Sequence, residues 1–547
     1  MKYQCRNAFF FICISIAFFT GIFICFSCSG RENKKNIDII AAKQPVKDIS
    51  LPGGFSTQTS IRFDSTAIPA FIKKYPAFTP FAAQIIQFYS GRNYTYAWFD
   101  SDGLIEQAGN LYNKINNIAE EGLPEKLLYA DVLHQLMEPD ATGTGLMKAN
   151  TTVELMLTAQ YFFYAKNVWT GLGAKGMQAV DWDLPQKKLS YEAMLDSLLE
   201  VPSSKFMATE PVFRQYALLK GYLKKYRAIE AAGGWPLIKA GKKSYRKGDT
   251  SGVIAAVRNR LYISGDISAD DRSVIFDTTL ENAVKNFQQR YGFKDDGVIS
   301  SRLITELNYP VAKRIEQLIV NMERCRWVPV ALNKDYFVVN IPEFRFHAFE
   351  NDSMIWSMNV VVGTVMNKTA IFNGTMTTVV FSPYWNIPPS IMQKETLPAL
   401  RRNRNYLAAN HMEWNGNAIR QVPGPWNALG KVKFLFPNSH NIYLHDTPGK
   451  YVFSHDTRAF SHGCIRVEEP RRLAIYVLRK QPEWTESRID EALNADKELY
   501  VKITNPIPVF IAYFTSWVDT QGRLNFRNDI YKRDARLARM IIENSGL

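Results

Sequence analysis

The stretch Phe460–Pro470, FSHGCIRVEEP, holds a single cysteine, Cys464, between Gly463 and Ile465 and two residues after His462. What that cysteine does decides how the second half of the chain is read. Four readings are open: a small buried apolar residue, half of a disulfide, a metal ligand, or a nucleophile whose proton an imidazole accepts.

Its surroundings weigh against plain filler. Five of the seven histidines, His411, His440, His445, His455 and His462, fall between 411 and 462, and most of them press towards Cys464 in sequence. Zinc would accept such side chains, yet no H-E-x-x-H occurs and no second cysteine lies nearby. Beyond residue 28 the cysteines are Cys325 and Cys464, too few for a disulfide scaffold, although one bridge between them stays open. A thiol of reference pKa about 8.5 is mostly protonated at neutral pH and needs a base. NIYLHDTPG, 441–449, reads as a strand ending at His445, and 464 − 445 = 19 residues separate that imidazole from the thiol. A strand-end histidine, a loop and a cysteine on the return make a dyad. Gly463 lets the backbone pass close to a substrate, and N–H groups around Gly463 and Cys464 suit a developing oxyanion. The helix expected after Glu468, with Glu469 and Pro470 in its first turn, adds little to the thiolate, because a helix dipole fades within a turn.

Working outward, DYFVVNIPEFRFHAFE (335–350), SMIWSMNVVVGT (353–364), GTMTTVVFSPYWNIPPS (374–390), KVKFLFPNSHNIYLHD (431–446) and ELYVKI (498–503) are rich in β-branched and aromatic residues between turn signals, and read as strands. QKETLPALRRNRNYLAA (393–409) and EEPRRLAIYVLRK (468–480) read as helices. The first half is helical in pattern: FAAQIIQFYS, TVELMLTAQYFFYAKNVWTGL, and a face of Leu104, Ala108, Leu111, Ile115 and Ile118. In 278–308, Leu280, Ala283, Val284 and Phe287 share one helical face, Gly292 ends the helix, Asp296-Gly297 turns, and Leu303 and Leu307 mark a second short helix.

At 547 residues the chain is long for one core, so two to four domains are expected. Its 46% hydrophobic and 22% charged residues are ordinary globular usage. The net charge of +14 favours anionic surfaces, but it is spread along the chain without a Lys/Arg block, which speaks against nucleic acid. Lys2 and Arg6 precede an apolar run from Ala8 to Cys28, the pattern of a secretory leader. The run also approaches the roughly 20 residues of a membrane span. FSCSG resembles a bacterial lipoprotein box with Cys28 lipidated, and an uncleaved anchor is the alternative.

The residues around Cys464 carry a resemblance. YLHDTPG…SHGCIRV resembles the active-site signature of the L,D-transpeptidases, the YkuD-fold cysteine enzymes of peptidoglycan. VVVGT, VVFSPYWNIPPSI, PGPWNALGKVKFLFPN, PIPVFIAYFTSWVDTQGRLNFRNDIY and FYSGRNYTYAWFDSDGL resemble the large YcbB-like branch, and the 278–308 pattern resembles a peptidoglycan-binding domain. The resemblance implies a multidomain α+β protein: a leader or anchor (1–28), a polar tether (29–75), a helical scaffold (76–246), a peptidoglycan-binding unit (247–309), a mainly-β catalytic domain (310–505) and a C-terminal extension packed on the catalytic or scaffold region (506–547). It implies Cys464 as nucleophile, His445 as general base, the Asp446 backbone orienting that imidazole, and His462 and Gly463 shaping an oxyanion site. Arg466, Ser461 and Trp426 are implied as substrate-positioning residues, with a local salt bridge as the alternative for Arg466 and a lid in the 400–430 stretch. The activity implied is 3→3 cross-linking of stem peptides through a thioester, with release of D-Ala and without metal or organic cofactor. The implied partners are peptidoglycan stems and glycan and, through the N-terminus, a membrane; nucleic acid is excluded, and the protein is expected as a periplasmic monomer. An L,D-carboxypeptidase or other cysteine hydrolase, and a non-catalytic wall-binding protein, are the alternatives.

Overall fold

The computed structural model describes residues 61–123, 128–138, 148–200, 210–328 and 335–544. The leader, Cys28 and most of the expected tether lie outside the described residues. Among those described, no helix is long and apolar enough to cross a membrane.

The expected tether extends too far. Ala67–Lys74 is a helix that buries Ile68 and Phe71, so ordered structure is present before residue 75. An apolar residue every third or fourth position is enough to dock it, despite the polar composition around it. The face expected on a helix from Leu104 is buried throughout, but Leu104 belongs to a two-residue strand, and the helix runs Glu106–Asn116. Helix starts follow capping chemistry. Asn150 accepts from the Thr152 and Val153 N–H groups, Asp277 from Leu280, and Ser300 from Leu303. Thr278–Arg290 buries Leu280, Ala283, Val284 and Phe287. Gly292 and Gly297, at φ +72° and +70°, make the turns into Ser301–Leu307.

The helix Val311–Trp327 links the helical part to the β part. It packs against the helices Gln215–Ala231 and Asp534–Asn544. Its buried charges are matched: Arg326 bonds Glu323 at 2.6 Å, and Arg324 bonds Asp534 at 2.7 Å.

The β part is one large sheet. Its strands, in chain order, are β1 (Trp182–Asp183), β2 (Asp335–Asn340), β3 (Arg345–Glu350), β4 (Ser353–Gly363), β5 (Ile371–Phe381), β6 (Val432–Leu435), β7 (Leu444–His445), β8 (Ala459–Ser461), β9 (Ile465–Val467) and β10 (Leu499–Ala512). The spatial order is β6-β7-β9-β4-β3-β2-β10-β5-β1, with β8 alongside β4 and a β5–β6 pairing that closes the sheet. Along each strand, residues alternate between the core and the opposite face. Phe337 and Val339 of β2, Phe346 and Ala348 of β3, Val360 and Val362 of β4 and Val509 and Ile511 of β10 point into the core. The helix Pro470–Leu478 covers that core with Leu473, Ala474, Val477 and Leu478. Glu469 caps this helix only by position, its side chain making no cap bond, and Glu468 lies before it.

Two features of the sheet depart from expectation. β10 is one strand through 499–512, so it crosses the expected boundary at 505/506. Its first half pairs with β5 and, after a register shift between Lys502 and Ile507, its second half pairs with both β5 and β2. The shift accommodates Pro506 and Pro508, which cannot donate to a ladder. β1, from the helical half of the chain, pairs with β5 at the sheet edge. An insertion between β5 and β6 carries the helical segment 389–402 and a small sheet of strands 385–386, 418–421 and 412–415. The architecture is multidomain α+β.

Candidate active site

β7 and β9 are parallel neighbours, with Leu444 opposite Ile465 and His445 opposite Arg466. Leu444, Ile465 and Val467 point into the core. The period of two then puts Tyr443, His445, Cys464 and Arg466 together on the opposite face. Short apolar runs with polar residues between them are what turn these four side chains out of the core.

Cys464 is a free thiol and partly buried, and Cys325 is also free and wholly buried, so no bridge joins them. Cys325 sits in the core of the 311–327 helix, where desolvation pushes its thiol up to about 12. The Cys464 thiol donates to the Asn441 carbonyl at 3.8 Å. Burial raises its pKa, while the Tyr443 backbone and hydroxyl and the Arg466 charge pull it back down.

His445 is buried, with Nδ1 2.6 Å from the Asp446 carbonyl. A carbonyl only accepts, so Nδ1 carries the proton and Nε2 keeps its lone pair. Desolvation, then the Arg466 charge, lower the imidazole to about 4, and the Asp446 carbonyl offsets part of that. The imidazole is therefore neutral at physiological pH. Among the described residues, no hydrogen bond joins it to Cys464.

Asp446 is itself fixed. Its carboxylate accepts the Lys431 N–H at 2.9 Å and pairs with Lys450 at 2.6 Å, and its N–H donates to Val432. Gly430, at φ +62°, lies against that carboxylate: a Cβ there would stand 2.3 Å from Oδ2.

The turn into Cys464 differs from expectation in its details. Ser461, expected to touch substrate, is buried, and its hydroxyl donates to the Cys464 carbonyl at 2.5 Å while accepting the Gly463 N–H at 3.1 Å. A small hydroxyl at the end of a strand closes the turn on itself. The Gly463 N–H is thus taken, whereas the Cys464 N–H donates to no protein acceptor among the described residues. Gly463 has φ +117°, a conformation favouring glycine. Its carbonyl accepts from Thr369, whose hydroxyl also receives the Gly363 N–H at 2.9 Å, and Tyr531 donates to the Gly363 carbonyl at 2.7 Å.

His462 points outward and meets Glu395 of the insertion at 3.1 Å. Arg466 enters no ion pair among the described residues, and its Nε is buried without an acceptor. Trp426 is exposed and stacks on His411 with ring centroids 3.7 Å apart. The histidines do not converge on the thiol. His440 bonds Asp183 of β1, His455 packs edge-on to Phe460, and only His445 shares the face of Cys464 on the neighbouring strand. Among the described residues, no group of three or more His, Cys, Asp or Glu is placed to hold a metal ion.

Sequence reasoning missed Asn441, Tyr443, Glu395 and Gly430. Tyr443 had a usable signal, since it lies two residues before His445 in a segment that reads as a strand from sequence. Glu395 and Gly430 had none, because their contacts depend on the insertion's fold.

The family model described as the L,D-transpeptidase catalytic domain, YkuD, matches residues 334–486, the scaffold domain model matches 83–223, and the putative peptidoglycan binding domain model matches 251–307. The chain carries an L,D-transpeptidase catalytic domain, with a scaffold domain and a peptidoglycan-binding domain before it. A relative from Haemophilus influenzae (strain ATCC 51907 / DSM 11121 / KW20 / Rd), a putative L,D-transpeptidase, is 31% identical over 242 residues, covering 41% of this chain and 49% of its own length. The match thus spans about half of that relative. Solved L,D-transpeptidases from Xylanimonas cellulosilytica DSM 15894 and Stackebrandtia nassauensis are 11% and 12% identical, each covering 50% of this chain and 99% and 97% of their own, with TM-scores of 0.17 and 0.22. Cys464 and His445 both lie inside the matched transpeptidase segment, and β10, which completes the sheet, lies beyond it.

Proposed function

We propose that this protein is a peptidoglycan L,D-transpeptidase that forms 3→3 cross-links through a thioester on Cys464. The observation that carries this reading is a neutral, carbonyl-oriented His445 at the end of β7 beside a free thiol one residue before the neighbouring strand β9. In the first half-reaction the thiol passes its proton to His445 Nε2 as Sγ bonds the carbonyl carbon of the third stem residue. The oxyanion meets the Cys464 N–H. The C–N bond to terminal D-Ala then breaks, and His445 protonates the leaving amine. In the second, a side-chain amine of a neighbouring stem attacks the thioester. His445 takes the amine proton, and the thiolate leaves and recovers it. Arg466, cationic and without a carboxylate partner among the described residues, is the residue this reading assigns to a stem carboxylate. The insertion, tied to His462 through Glu395, serves to keep water from the thioester.

The same reading puts the protein in the periplasm, held at a membrane through its N-terminal residues. The test is intact-protein mass spectrometry of wild type and Cys464→Ala with a disaccharide-tetrapeptide and with a carbapenem. An adduct on wild type alone together with a cross-linked dimer product is expected. Tripeptide without dimer would mean a hydrolase, and a folded sample with neither adduct nor turnover would mean a wall-binding protein.

A further inference from the structure

A cavity of about 1270 Å³ lies where the helical scaffold, the peptidoglycan-binding unit, the sheet and the antiparallel hairpin of Ser516–Val518 and Leu524–Phe526 meet. None of the four side chains of the candidate active site lines it. Its floor is the outward face of β2, β3, β4 and β10, including Arg345 and His347 of β3 and Ser357 and Asn359 of β4. That is the face that carries Cys464. Farther along β4 on the same face, Val361 is covered by Val452 and Phe453, so the 450–458 segment stands between the cavity and the thiol.

The cavity wall is cationic, with seven Arg and Lys side chains against four Asp and Glu. The carboxylates are already engaged. Glu343 bonds His347 at 2.9 Å, Asp456 pairs with Arg302 at 2.8 Å, Asp519 pairs with Arg523 at 3.0 Å, and Asp295 accepts from Gln289. Three arginines that influence one another electrostatically have no carboxylate partner among the described residues. Arg345 bonds Asn359 and Ser357, Arg458 bonds the Val360, His455 and Phe344 carbonyls, and Arg527 bonds the Arg290 and Phe526 carbonyls. Neutral acceptors orient the three guanidiniums, and Glu343, Asp456 and Glu468 offset only part of their charge without pairing with them. Burial and then the Arg345 charge bring Arg458 down to about 10, and burial lowers Arg527, with the Glu343 charge opposing and the Arg345 charge adding to that shift. Like charges gathered on a concave, partly desolvated wall make a receptor for anions. Trp517, with Arg527 over its ring, and Phe293, with Arg302 over its ring, give the wall flat apolar surfaces beside the cations.

We propose that this cavity binds a carboxylate-bearing glycopeptide of the cell wall, the Arg345–Arg458–Arg527 cluster receiving its carboxylates and the aromatic rings its sugar faces. The site lies on the side of the 450–458 segment away from the thiol and holds a stretch of polymer other than the acyl donor. The choice of ligand rests on the function proposed above; the anion receptor itself does not.

The test is calorimetric titration of the detergent-solubilised full chain carrying Cys464→Ala. The ligands are a disaccharide-tetrapeptide, the same compound with its carboxyls amidated, and inorganic phosphate at constant ionic strength. Removing one partner of a buried charged contact weakens binding by about tenfold or more. That loss is expected from Arg345→Met, with partial recovery in Arg345→Lys, and from amidation, which needs no protein variant. Phosphate is expected to bind far more weakly than the glycopeptide. A folded Arg345→Met that binds as before, or an amidated ligand that binds as well as the acid, overturns the proposal; phosphate binding as tightly as glycopeptide overturns its choice of ligand. Carbapenem acylation of Cys464, measured in the otherwise wild-type chain and in Arg345→Met, separates the two readings. Unchanged acylation with unchanged glycopeptide binding sinks the cavity proposal alone. Absent acylation with Arg345-dependent binding sinks the enzymatic reading alone.

Discussion

His445 ends β7 and Cys464 stands one residue before the parallel neighbour β9, yet each is held by a different backbone carbonyl, His445 by Asp446 at 2.6 Å and Cys464 by Asn441 at 3.8 Å. Burial pushes the thiol up and the imidazole down, so the resting pair is a thiol and a neutral imidazole rather than a thiolate and an imidazolium. The free protein is therefore expected to be a poor target for simple alkylating agents at neutral pH. Iodoacetamide should modify Cys464 slowly at pH 7, with a rate that rises to an apparent pKa above that of a free cysteine. A midpoint below that of free cysteine would mean a preformed ion pair.

The same imidazole makes stability depend on pH. Its folded-state pKa is about 4, against about 6.5 when unfolded. Between these values the unfolded chain takes up a proton that the folded chain refuses, so stability falls as pH falls. The contribution is fully present above about pH 6.5 and gone by about pH 4, and amounts to about 3 kcal/mol. His445→Gln should flatten this part of the profile. The check is the difference in Tm between wild type and variant, scanned from pH 7.5 to 4; a constant difference would exclude a buried neutral imidazole.

The sequence was most legible where period and chemistry coincide. Leu444, Ile465 and Val467 alternate with His445, Cys464 and Arg466, so the site face could be read before any fold was known. Leu280, Ala283, Val284 and Phe287 likewise announced their helix. What stayed hidden lacked a local period. The 67–74 helix is brief and set in polar sequence, and the 182–183 strand is two residues long. The expected boundary at 505/506 falls midway along β10, where Pro506 and Pro508 interrupt its ladder and the strand pattern breaks. The turn bonds of Ser461 were not legible, because its donor and acceptor partners are its own neighbours in the turn, a pattern that identity alone does not announce.

Gly430 tests how the base is positioned. Its φ of +62° strains any other residue, and a Cβ would meet the Asp446 carboxylate at 2.3 Å. Gly430→Ala should cost about 1–3 kcal/mol and displace the carbonyl that orients His445. The expected kinetic result is a fall in kcat larger than any change in KM, with the acid limb of the pH–rate profile moved. Loss of stability with an unchanged kcat would show that the site tolerates a shift of Asp446.

The Glu395–His462 contact should matter little for stability, since both side chains are about half exposed and exposed pairs contribute about 0–1 kcal/mol. On the proposed mechanism, Glu395→Gln is expected to leave Tm nearly unchanged while raising the share of hydrolysed over cross-linked product, because it frees the insertion from His462. Product ratios from disaccharide-tetrapeptide decide this; an unchanged ratio would leave the contact a surface pair.

Arg466 offers the sharpest separation of binding from chemistry. It stands opposite His445 on the next strand, pairs with no carboxylate among the described residues, and keeps a buried Nε without an acceptor. A guanidinium left uncompensated beside the thiol is arranged to meet an anion that arrives with the substrate. Arg466→Met removes that anchor and also lifts a charge that lowers both His445 and Cys464. The His445 pKa should rise and the Cys464 pKa should rise with it. Binding of the stem carboxylate should weaken by about tenfold or more, seen as a higher KM for tetrapeptide. Acylation by a carbapenem ester lacking that carboxylate should change much less. If both substrates suffer equally, Arg466 acts by holding the loop rather than by receiving the stem, and the residue belongs with Ser461 among the braces of the turn.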